Sequence, residues 1–554
     1  MKQYLKAIIP LLAGVIIWLI PVPEGLSVNA WQYFAIFIAV ILGLVLEPLP
    51  AAVCGLLGVG LMASLALVPP SPPPMPGAKP AAVAAKAPEA PKPPEATAAA
   101  KPEPTKPPEA AKPAETPKPA EQAGPAAAAK AEADKAAPAK AAGPAKPAAK
   151  KPTAGDQIKW ALSGFANATV WLIFAAFIFA QGYEKTGLGK RIALMLMRAL
   201  GKSTLGLSYA VALSDLVLAP FLPSNTARSG GTIYPIIKNI PPLFNSTPDH
   251  EPRKIGSFLM WSALASDCVT TTAFLTAFAP NLLAVSLVQK IAGIGISWTE
   301  WFVAMLPVCA VLFVITPYLV YLIYPPTLKK SPEAPVWAAK ELAALGPVSR
   351  RELTMVALAV GALLLWIFGG SWINATTVAL VAVGLMIPTK VVSWDDILGN
   401  KPAWNILFWY GMLMAVADGL NRVGFLGWFC VSLSHSLNGL GIMLVMILLL
   451  VVFWYASFFF ASITALTTAL FPPFLVAAML VPGLPVKLFI MLMCGSLGLR
   501  GILTPYSVAP ATIYYGSGYL PATDHWRLGF IFSTFFLVVF LAIGIPYMSF
   551  LYGA

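Results

Sequence analysis

Long apolar runs follow one another along most of this chain, and short polar segments separate them. A helix needs about 20 apolar residues to cross the hydrocarbon core of a bilayer. The first three runs, at about 5–21, 31–47 and 50–68, are close to that length. The first resembles a secretory signal but lacks a small-residue cleavage site, so we interpret it as a retained helix. The pattern predicts an all-α polytopic membrane protein with about 11 transmembrane helices.

Residues 69–155 depart from this pattern. They consist largely of Ala, Pro, Lys and Glu and contain almost no large apolar side chain. Such a composition buries too little apolar surface to fold, so the sequence predicts a disordered linker. Three crossings from a cytoplasmic N-terminus would place this linker outside the cytoplasm, and long segments escape the positive-inside rule.

Two of the apolar regions are interrupted near their middle by small polar residues. In the first region, 204–240, residues 223–231 read PSNTARSGG, and in the second, 439–482, residues 462–464 read SIT. Proline and glycine around these positions would break a continuous helix. Basic segments flank the first region on both sides, which predicts a re-entrant hairpin. The tip of such a hairpin is tolerated at membrane depth only inside protein or beside water.

Each predicted hairpin is followed by a broken helix, at 255–290 and at 485–519, and an Ala-Pro pair follows each break. The counted crossings place the two hairpins on opposite sides and the C-terminus outside the cytoplasm. The two halves therefore form an inverted repeat. The predicted organisation is scaffold helices at 1–68, the linker at 69–155, a first repeat at 156–325, a cytoplasmic loop at 326–351 and a second repeat at 352–554.

The overall composition agrees with a membrane protein, because 58% of the residues are hydrophobic and only 11% are charged. The net charge of +13 is carried mainly by the linker and by short loops, and short basic loops stay in the cytoplasm. No basic face with interleaved aromatic residues accompanies this charge, which argues against a nucleic-acid partner. We expect a multi-pass protein of the inner membrane that is surrounded by lipid.

The five cysteines lie in apolar runs and form no CxxC pair. We interpret them as small side chains that pack between helices: Cys54, Cys268, Cys309, Cys430 and Cys494. The histidines His250, His435 and His525 are predicted to be loop or interfacial residues. The sequence contains no hydrolytic or metal-binding motif, so we expect neither an enzyme nor a cofactor.

Hydroxyl residues at the two hairpin tips indicate an anion-binding site. Ser224 and Ser462 can cap the helices that start there, and the free backbone N–H groups beyond them carry positive partial charge. Two helix N-termini that meet from opposite sides would bind a solute with a carboxylate at each end. Asn225, Thr226 and Thr464 can donate hydrogen bonds without a full charge, which favours reversible binding. The alternative is that these residues only let helices pack closely.

Charged residues near the tips give the most specific indication of function in these regions. A buried arginine at membrane depth is costly and needs an anionic partner. Arg228 could pair with Asp215 on the preceding hairpin limb or could face the substrate. We favour the substrate, because Asp215 lies more than two turns before the tip. Asp267 has no partner that the sequence identifies, and Arg500 lies just before the second helix break.

Residues 219–231, APFLPSNTARSGG, and residues 234–239, YPIIKN, closely resemble the divalent-anion:sodium symporter family. The nearest branch resembles bacterial citrate and tartrate carriers that exchange for succinate, which are related to plastid 2-oxoglutarate/malate translocators. LTPY at 503–506 and YGSGY at 515–519 support the same branch. The resemblance covers nearly all of the chain outside 69–155.

This resemblance implies a homodimer in which a fixed scaffold holds a mobile transport domain that moves as an elevator. The family's carboxylate contacts correspond here to Ser224, Asn225, Thr226, Ser462, Thr464, Asn281 and Thr504. Other residues of the same tips and breaks complete the candidate set: Arg228, Thr276, Thr467, Pro505 and Ser507. The implied function is exchange of di- or tricarboxylates of the succinate, citrate, tartrate, malate or 2-oxoglutarate class.

The second tip departs from the family pattern. Ile463 stands where sodium-coupled members have asparagine, and Leu466 stands where the exchanger branch usually has histidine. In that branch, basic residues after each tip are thought to replace sodium, a role that Arg228 fits. We hypothesise that Arg500 compensates for Leu466. The alternative function is a sodium-coupled dicarboxylate symporter of the same fold, in which a sodium ion occupies that side.

Two other classes of function are alternatives that the sequence leaves open. An envelope tether would use its helices as an anchor and the linker for binding, and deletion of 70–153 would then abolish its role. An ion channel would carry current without saturable counterflow.

Overall fold

The structure, a computed structural model, describes residues 2–46, 48–69, 152–370, 372–425, 428 and 441–553. The described residues form helices joined by short loops and contain no β-strand beyond two isolated bridges. The predicted linker lies almost wholly outside these residues, as do Cys430 and His435. The all-α membrane fold predicted from the sequence is confirmed.

The helices are numbered here in chain order. They are α1 (Lys2–Leu19), α2 (Val28–Leu46), α3 (Ala51–Ser64), α4 (Ala154–Leu162), α5 (Ala168–Thr186), α6 (Leu188–Leu200), α7 (Thr204–Leu218), α8 (Tyr234–Ile237), α9 (Gly256–Ala273), α10 (Ala279–Ala292), α11 (Trp298–Ile323), α12 (Glu333–Ala344), α13 (Arg350–Phe368), α14 (Ala375–Met386), α15 (Trp394–Gly399), α16 (Lys401–Arg422), α17 (Ile442–Tyr455), α18 (Ile463–Leu480), α19 (Val486–Leu499), α20 (Ala509–Gly516) and α21 (Ala522–Tyr552).

Six helical segments in the described ranges are long and apolar enough to cross a bilayer, and a bent pair, Ala154–Ala166 with Ala168–Thr186, would make a seventh. The six are Thr204–Phe221, Trp298–Ile323, Arg350–Phe368, Ile442–Phe459, Ile463–Leu480 and Ala522–Tyr552. Several shorter apolar helices accompany them. The predicted total of about 11 crossings stays a prediction.

The first polar interruption ends α7 and starts a new helical segment. Ser203 caps α7 by accepting a hydrogen bond from the N–H of Gly206. After α7 a short 3₁₀ turn, Ala219–Phe221, leads into the tip, and a wide π-helical turn, Thr226–Ile233, returns the chain to α8. Pro220 and Pro223 cannot donate backbone hydrogen bonds, which explains why the helix stops here.

The second interruption has the same plan with a more regular return helix. A 3₁₀ turn, Ala456–Phe459, follows α17, and α18 then begins directly after Ser462. The two broken helices are α9 with α10, interrupted at 274–278, and α19 with α20, interrupted at 500–508. Helix α9 packs against α7, α11 and α19, and α10 packs against α18, so the breaks lie beside the hairpins.

Candidate functional site

Both hairpin tips line the same cavity, which has a volume of about 290 Å³. The first tip contributes Asn225 and Thr226, and the second contributes the residues from 461 to 464. The breaks supply the remaining walls, so that the full lining is Asn225, Thr226, Phe278, Ala461, Ser462, Ile463, Thr464, Tyr506, Ser507, Val508, Ala509 and Thr512. Residues that are more than 230 positions apart in the sequence therefore meet at one site.

The first tip is organised as a helix start. The Ser224 side-chain oxygen accepts a hydrogen bond from the N–H of Ala227 at 3.2 Å, and its carbonyl accepts one from the N–H of Arg228 at 2.9 Å. Ser224 therefore caps this turn, as the sequence predicted. The side chain itself is half-buried and is not part of the cavity lining, whereas Thr226 is exposed toward the cavity.

The second tip is tied to the second helix break by the backbone. The N–H of Ile463 donates to the carbonyl of Ser507 at 3.1 Å, and the N–H of Leu466 donates to the carbonyl of Ser462 at 3.0 Å. Ser462 occupies the N-cap position of α18, but its side chain makes no capping hydrogen bond. The Thr504 and Ser507 hydroxyls are 2.5 Å apart, and this hydrogen bond is internal to the second helix break.

Arg228 is placed differently from the expectation that it faces the substrate. Its side chain is fully buried, and all five of its N–H donors have partners in the protein. Nε donates to Asp215 and Nη2 to Asp267, both at 3.0 Å, while Nη2 also reaches the Thr271 hydroxyl at 2.7 Å. Nη1 donates to the carbonyls of Leu222 and Ala277. No donor of this side chain is left for a solute.

This cluster corrects two expectations about the acidic residues. Asp215 reaches Arg228 although it precedes the tip by more than two turns, because the 3₁₀ turn and the tip fold the chain back beside α7. Asp267, which had no partner in the sequence, is the second carboxylate on the same guanidinium. Its other oxygen accepts from the Asn225 amide at 3.4 Å. Asn225 therefore connects the buried cluster to the cavity lining.

Arg500 has a different environment, although it is also fully buried. Its Nη1 donates to the carbonyl of Phe453 at 2.6 Å, and its guanidinium carbon lies 4.0 Å from the centre of the Phe453 ring. Its Nε and Nη2 have no hydrogen-bond partner in the described part of the chain, and no acidic side chain there forms an ion pair with it. Arg500 does not line the cavity.

Several predicted site residues support the tips from behind and do not reach the cavity. Thr276 donates to the carbonyl of Pro220 at 2.6 Å, and Asn281 donates to the carbonyl of Thr271 at 2.9 Å. Thr467 is buried and donates to the carbonyl of Ile463 at 2.7 Å. These hydrogen bonds satisfy backbone carbonyls at the breaks and within α18, which is a structural role.

Thr504 and Pro505 belong to the wall of the second break without lining the cavity themselves. Thr504 is held by Ser507, and the Pro505 carbonyl accepts a hydrogen bond from the Thr512 hydroxyl at 3.2 Å. Of the twelve candidate binding residues, the cavity brings together Asn225, Thr226, Ser462, Thr464 and Ser507.

Seven residues of the lining were not among the candidates. Two of them, Ala461 and Ile463, flank Ser462 at the second tip. The other five belong to the breaks, in or close to an Ala-Pro pair, so the break itself was the available signal: Phe278, Tyr506, Val508, Ala509 and Thr512. Tyr506 donates to the carbonyl of Phe458 at 3.0 Å and thereby joins the second break to the second hairpin. Phe278 and Val508 make parts of the wall apolar.

His525 contradicts the expectation of a loop or interfacial residue. It lies in the first turn of α21, is fully buried, and packs edge-on against the rings of Trp261 and Tyr515. His250 is exposed in a turn, as expected. Cys268, Cys309 and Cys494 are buried, and Cys54 is half-buried. No group of three potential metal ligands occurs among the residues that the structure describes.

The loop between α14 and α16 contains the ion pair of Asp396 with Lys185. This lysine, together with the N–H and hydroxyl of Ser393, lowers the pKa of the Asp396 carboxyl from its ordinary 3.8 to about 2. Asp396 also closes a capping box with Ser393 at the start of α15. The pair links the end of α5 to this loop, far from the tips in sequence.

The family model for the sodium:sulfate symporter transmembrane region matches residues 1–553. The chain belongs to this family. Within it, the chain is 42% identical to the L-tartrate/succinate antiporters of Escherichia coli K12 and of Shigella sonnei, over 99% of this chain and 98% of each relative. The resemblance to the divalent-anion:sodium symporters and to their tartrate/succinate branch is confirmed.

A solved structure, that of the YdaH transporter of Alcanivorax borkumensis, resembles this member of the sodium:sulfate symporter family in fold. The TM-score is 0.50 at 15% identity, and the match covers 71% of this chain and 88% of the other. At this identity the likeness shows the fold alone.

Proposed function

We propose that this protein is a secondary active transporter that exchanges dicarboxylates, of the succinate and tartrate class, across the inner membrane. The observation that carries the proposal is the single cavity lined by both hairpin tips. The relatives with 42% identity are named L-tartrate/succinate antiporters, which supports the same class of solute. The proposed orientation has the N-terminus in the cytoplasm, and residues 69–155 and the C-terminus on the opposite side.

The cavity has the chemistry to hold a dianion reversibly. No charged side chain is among its lining residues, so binding depends on hydroxyls, the Asn225 amide and free backbone N–H groups. At the first turns of α18 and of the segment that begins at Thr226, N–H groups without an intrahelical partner would bind one solute from the two tips. Partial charges of this kind bind carboxylates without the strength of a full ion pair, which favours release after transport.

A fixed charge beside the second hairpin supports exchange without sodium. Near the first tip, Asp215 and Asp267 offset the charge of Arg228, so this cluster positions Asn225 and adds no net positive charge. Arg500 provides a positive charge next to the second hairpin, through its contact with Phe453. Arg500 has no acidic partner in the described ranges, so its field remains available to an anion in the neighbouring cavity.

A sodium-coupled symporter is the second candidate. It is favoured by the second tip, where the buried, apolar Leu466 stands in the place of a base and leaves no fixed charge on the tip itself. A sodium ion near the second tip would then supply the positive charge that no side chain of this tip supplies.

We further propose that both hairpins and both broken helices form one moving body within a homodimer. Helix α10 packs on α18, and α9 packs on α7 and α19, so these elements form a continuous group. Lys290, near the end of α10, donates to the carbonyl of Met414 on α16 at 2.6 Å. In an elevator mechanism this hydrogen bond joins the moving body to the scaffold and must break during transport.

Counterflow in proteoliposomes tests the exchange directly. Vesicles preloaded with succinate should take up labelled tartrate or succinate without a sodium gradient, and empty vesicles should not. Uptake into empty vesicles that requires inward sodium would support the symporter. A current without saturable counterflow would contradict both. Removal of residues 70–153 serves as a control, because a carrier should keep its flux while a tether would lose its role.

A further inference from the structure

The cluster around Arg228 contains one more negative group than positive groups. Asp215 and Asp267 both contact the Arg228 guanidinium, and all three side chains are buried. If both carboxyls were ionised, the cluster would carry one uncompensated negative charge at membrane depth. Such a charge is costly without a partner.

No second basic side chain among the described residues neutralises the cluster. The two oxygens of Asp215 contact Arg228 and Thr270, and those of Asp267 accept from Arg228 and Asn225. Arg228 is the only cationic side chain paired with either carboxylate in this part of the chain. No group of three carboxylate, histidine or cysteine side chains lies within reach of a common metal ion in the described part of the chain.

The Thr270 hydroxyl contacts two oxygen atoms but has one proton. Its oxygen is in hydrogen-bonding contact with a carboxylate oxygen of Asp215 and lies 3.0 Å from the backbone carbonyl of Asp267. A hydroxyl has one proton and can donate to only one of these acceptors. If the Thr270 hydroxyl donates to the Asp267 carbonyl, it cannot also donate to Asp215. The hydrogen bond between Thr270 and Asp215 then requires a proton on the Asp215 carboxyl.

We propose that Asp215 and Asp267 hold one proton between them, on the side of Asp215 that faces Thr270, so that the buried cluster is neutral. Thr270 then accepts from the Asp215 carboxyl and donates to the Asp267 carbonyl. Asp267 remains the ionised partner of Arg228. Both residues act as positioning residues, because Asp267 also holds Asn225, which lines the solute cavity.

Infrared spectroscopy of the purified full-length protein tests this proton count. At neutral pH the wild type should show the C=O stretch of a protonated carboxylic acid, with an intensity of about one group per chain. The band should disappear in Asp215→Asn and in Asp267→Asn, because the single remaining carboxylate is then ionised by Arg228. The exposed Asp249 provides the matched control, Asp249→Asn, which should retain the band.

Absence of the band in the wild type would overturn the proposal. So would a band that persists in both single variants, because the proton would then lie elsewhere. If the band is absent and sodium raises the thermal stability of the wild type, a cation and not a proton neutralises the cluster. The infrared and thermal-stability measurements do not depend on which solute is transported.

A flux experiment adds a readout that rests on the proposed exchange. The double variant Asp215→Asn/Asp267→Asn leaves Arg228 without a counterion and should lower counterflow by about tenfold or more relative to either single variant. Equal flux in the single and double variants would contradict the charge balance. If the wild type itself shows no counterflow while the infrared band is present, the proposed exchange fails and the proton count stands.

Discussion

The two hairpins have the same plan but opposite internal chemistry. Nine residues before the tip serine, the first hairpin has Asp215 and the second has Phe453. In the first, Asp215 contacts Arg228 on the tip itself, whereas in the second the ring of Phe453 lies against Arg500 from the neighbouring broken helix. The first tip is therefore fixed by buried ion pairs, and the second by backbone hydrogen bonds and an aromatic contact.

This difference explains how one site can be asymmetric within a repeated architecture. The first tip has every donor of its arginine satisfied, so its geometry is set before a solute arrives. The second tip depends on the contact between the Ile463 N–H and the Ser507 carbonyl, and two nitrogens of Arg500 have no hydrogen-bond partner within the described ranges. The second half therefore has fewer side-chain hydrogen bonds and ion pairs within the described residues to hold its tip.

The largest effect is expected from Arg228→Ala. The substitution leaves Asp215 and Asp267 buried without their cation, and breaking a buried ion pair in this way costs about 3–5 kcal/mol. Counterflow should fall to background while the protein remains in the membrane. The exposed Arg198 on α6 supplies the control, since Arg198→Ala should transport normally. Wild-type flux in Arg228→Ala would remove this residue from the mechanism.

Arg500→Met should distinguish the effect of this charge on transport from its effect on protein stability. Replacement of a buried ion by an apolar side chain of similar size is often neutral or stabilising, so the melting temperature should be maintained. Counterflow should nevertheless decrease severalfold, because the positive charge beside the second tip is lost. Unchanged counterflow would show that this charge plays no part in anion transport.

A smaller and more local effect is expected from a pair of threonines on α18. Thr464 lines the cavity, whereas Thr467 donates to the carbonyl of Ile463 within the helix. Thr464→Val removes one hydrogen-bond donor to the solute and should raise the KM for exchange about two- to tenfold. Thr467→Val serves as the matched control and should leave KM unchanged. A raised KM in Thr467→Val with an unchanged KM in Thr464→Val would place the solute on the other face of α18.

The smallest effect concerns Asp396, outside both hairpins. Because its folded-state pKa is about 2 and its ordinary value is 3.8, its ionised form stabilises the folded protein above about pH 4, and this contribution is lost as the pH falls toward 2. Asp396→Asn should therefore slightly lower the melting temperature at pH 7, and the difference should shrink toward pH 3. Asp395→Asn, an exposed neighbour, is the control. A difference that persists unchanged at pH 3 would exclude the ion pair as its cause.

The tips and breaks were predictable from the sequence because proline, glycine and hydroxyl residues interrupt long apolar runs there. The pairing of Arg228 was not, since it depends on a tight turn that returns the chain beside α7. Thr276 and Asn281 have the same residue types as binding groups but face backbone carbonyls. Residue type identifies polar positions at membrane depth, whereas only the packing of α9 and α10 decides which of them face the solute.

The convergence of the two tips on one solute is the central claim, and paired cysteines measure it most directly. Thr226→Cys and Thr464→Cys, combined in a background without the native cysteines, place one thiol on each tip within the same cavity. A short bifunctional thiol reagent should cross-link the pair, and succinate or tartrate should protect it in proportion to occupancy. Failure to cross-link, or cross-linking that ignores both carboxylates, would contradict a shared site between the hairpins.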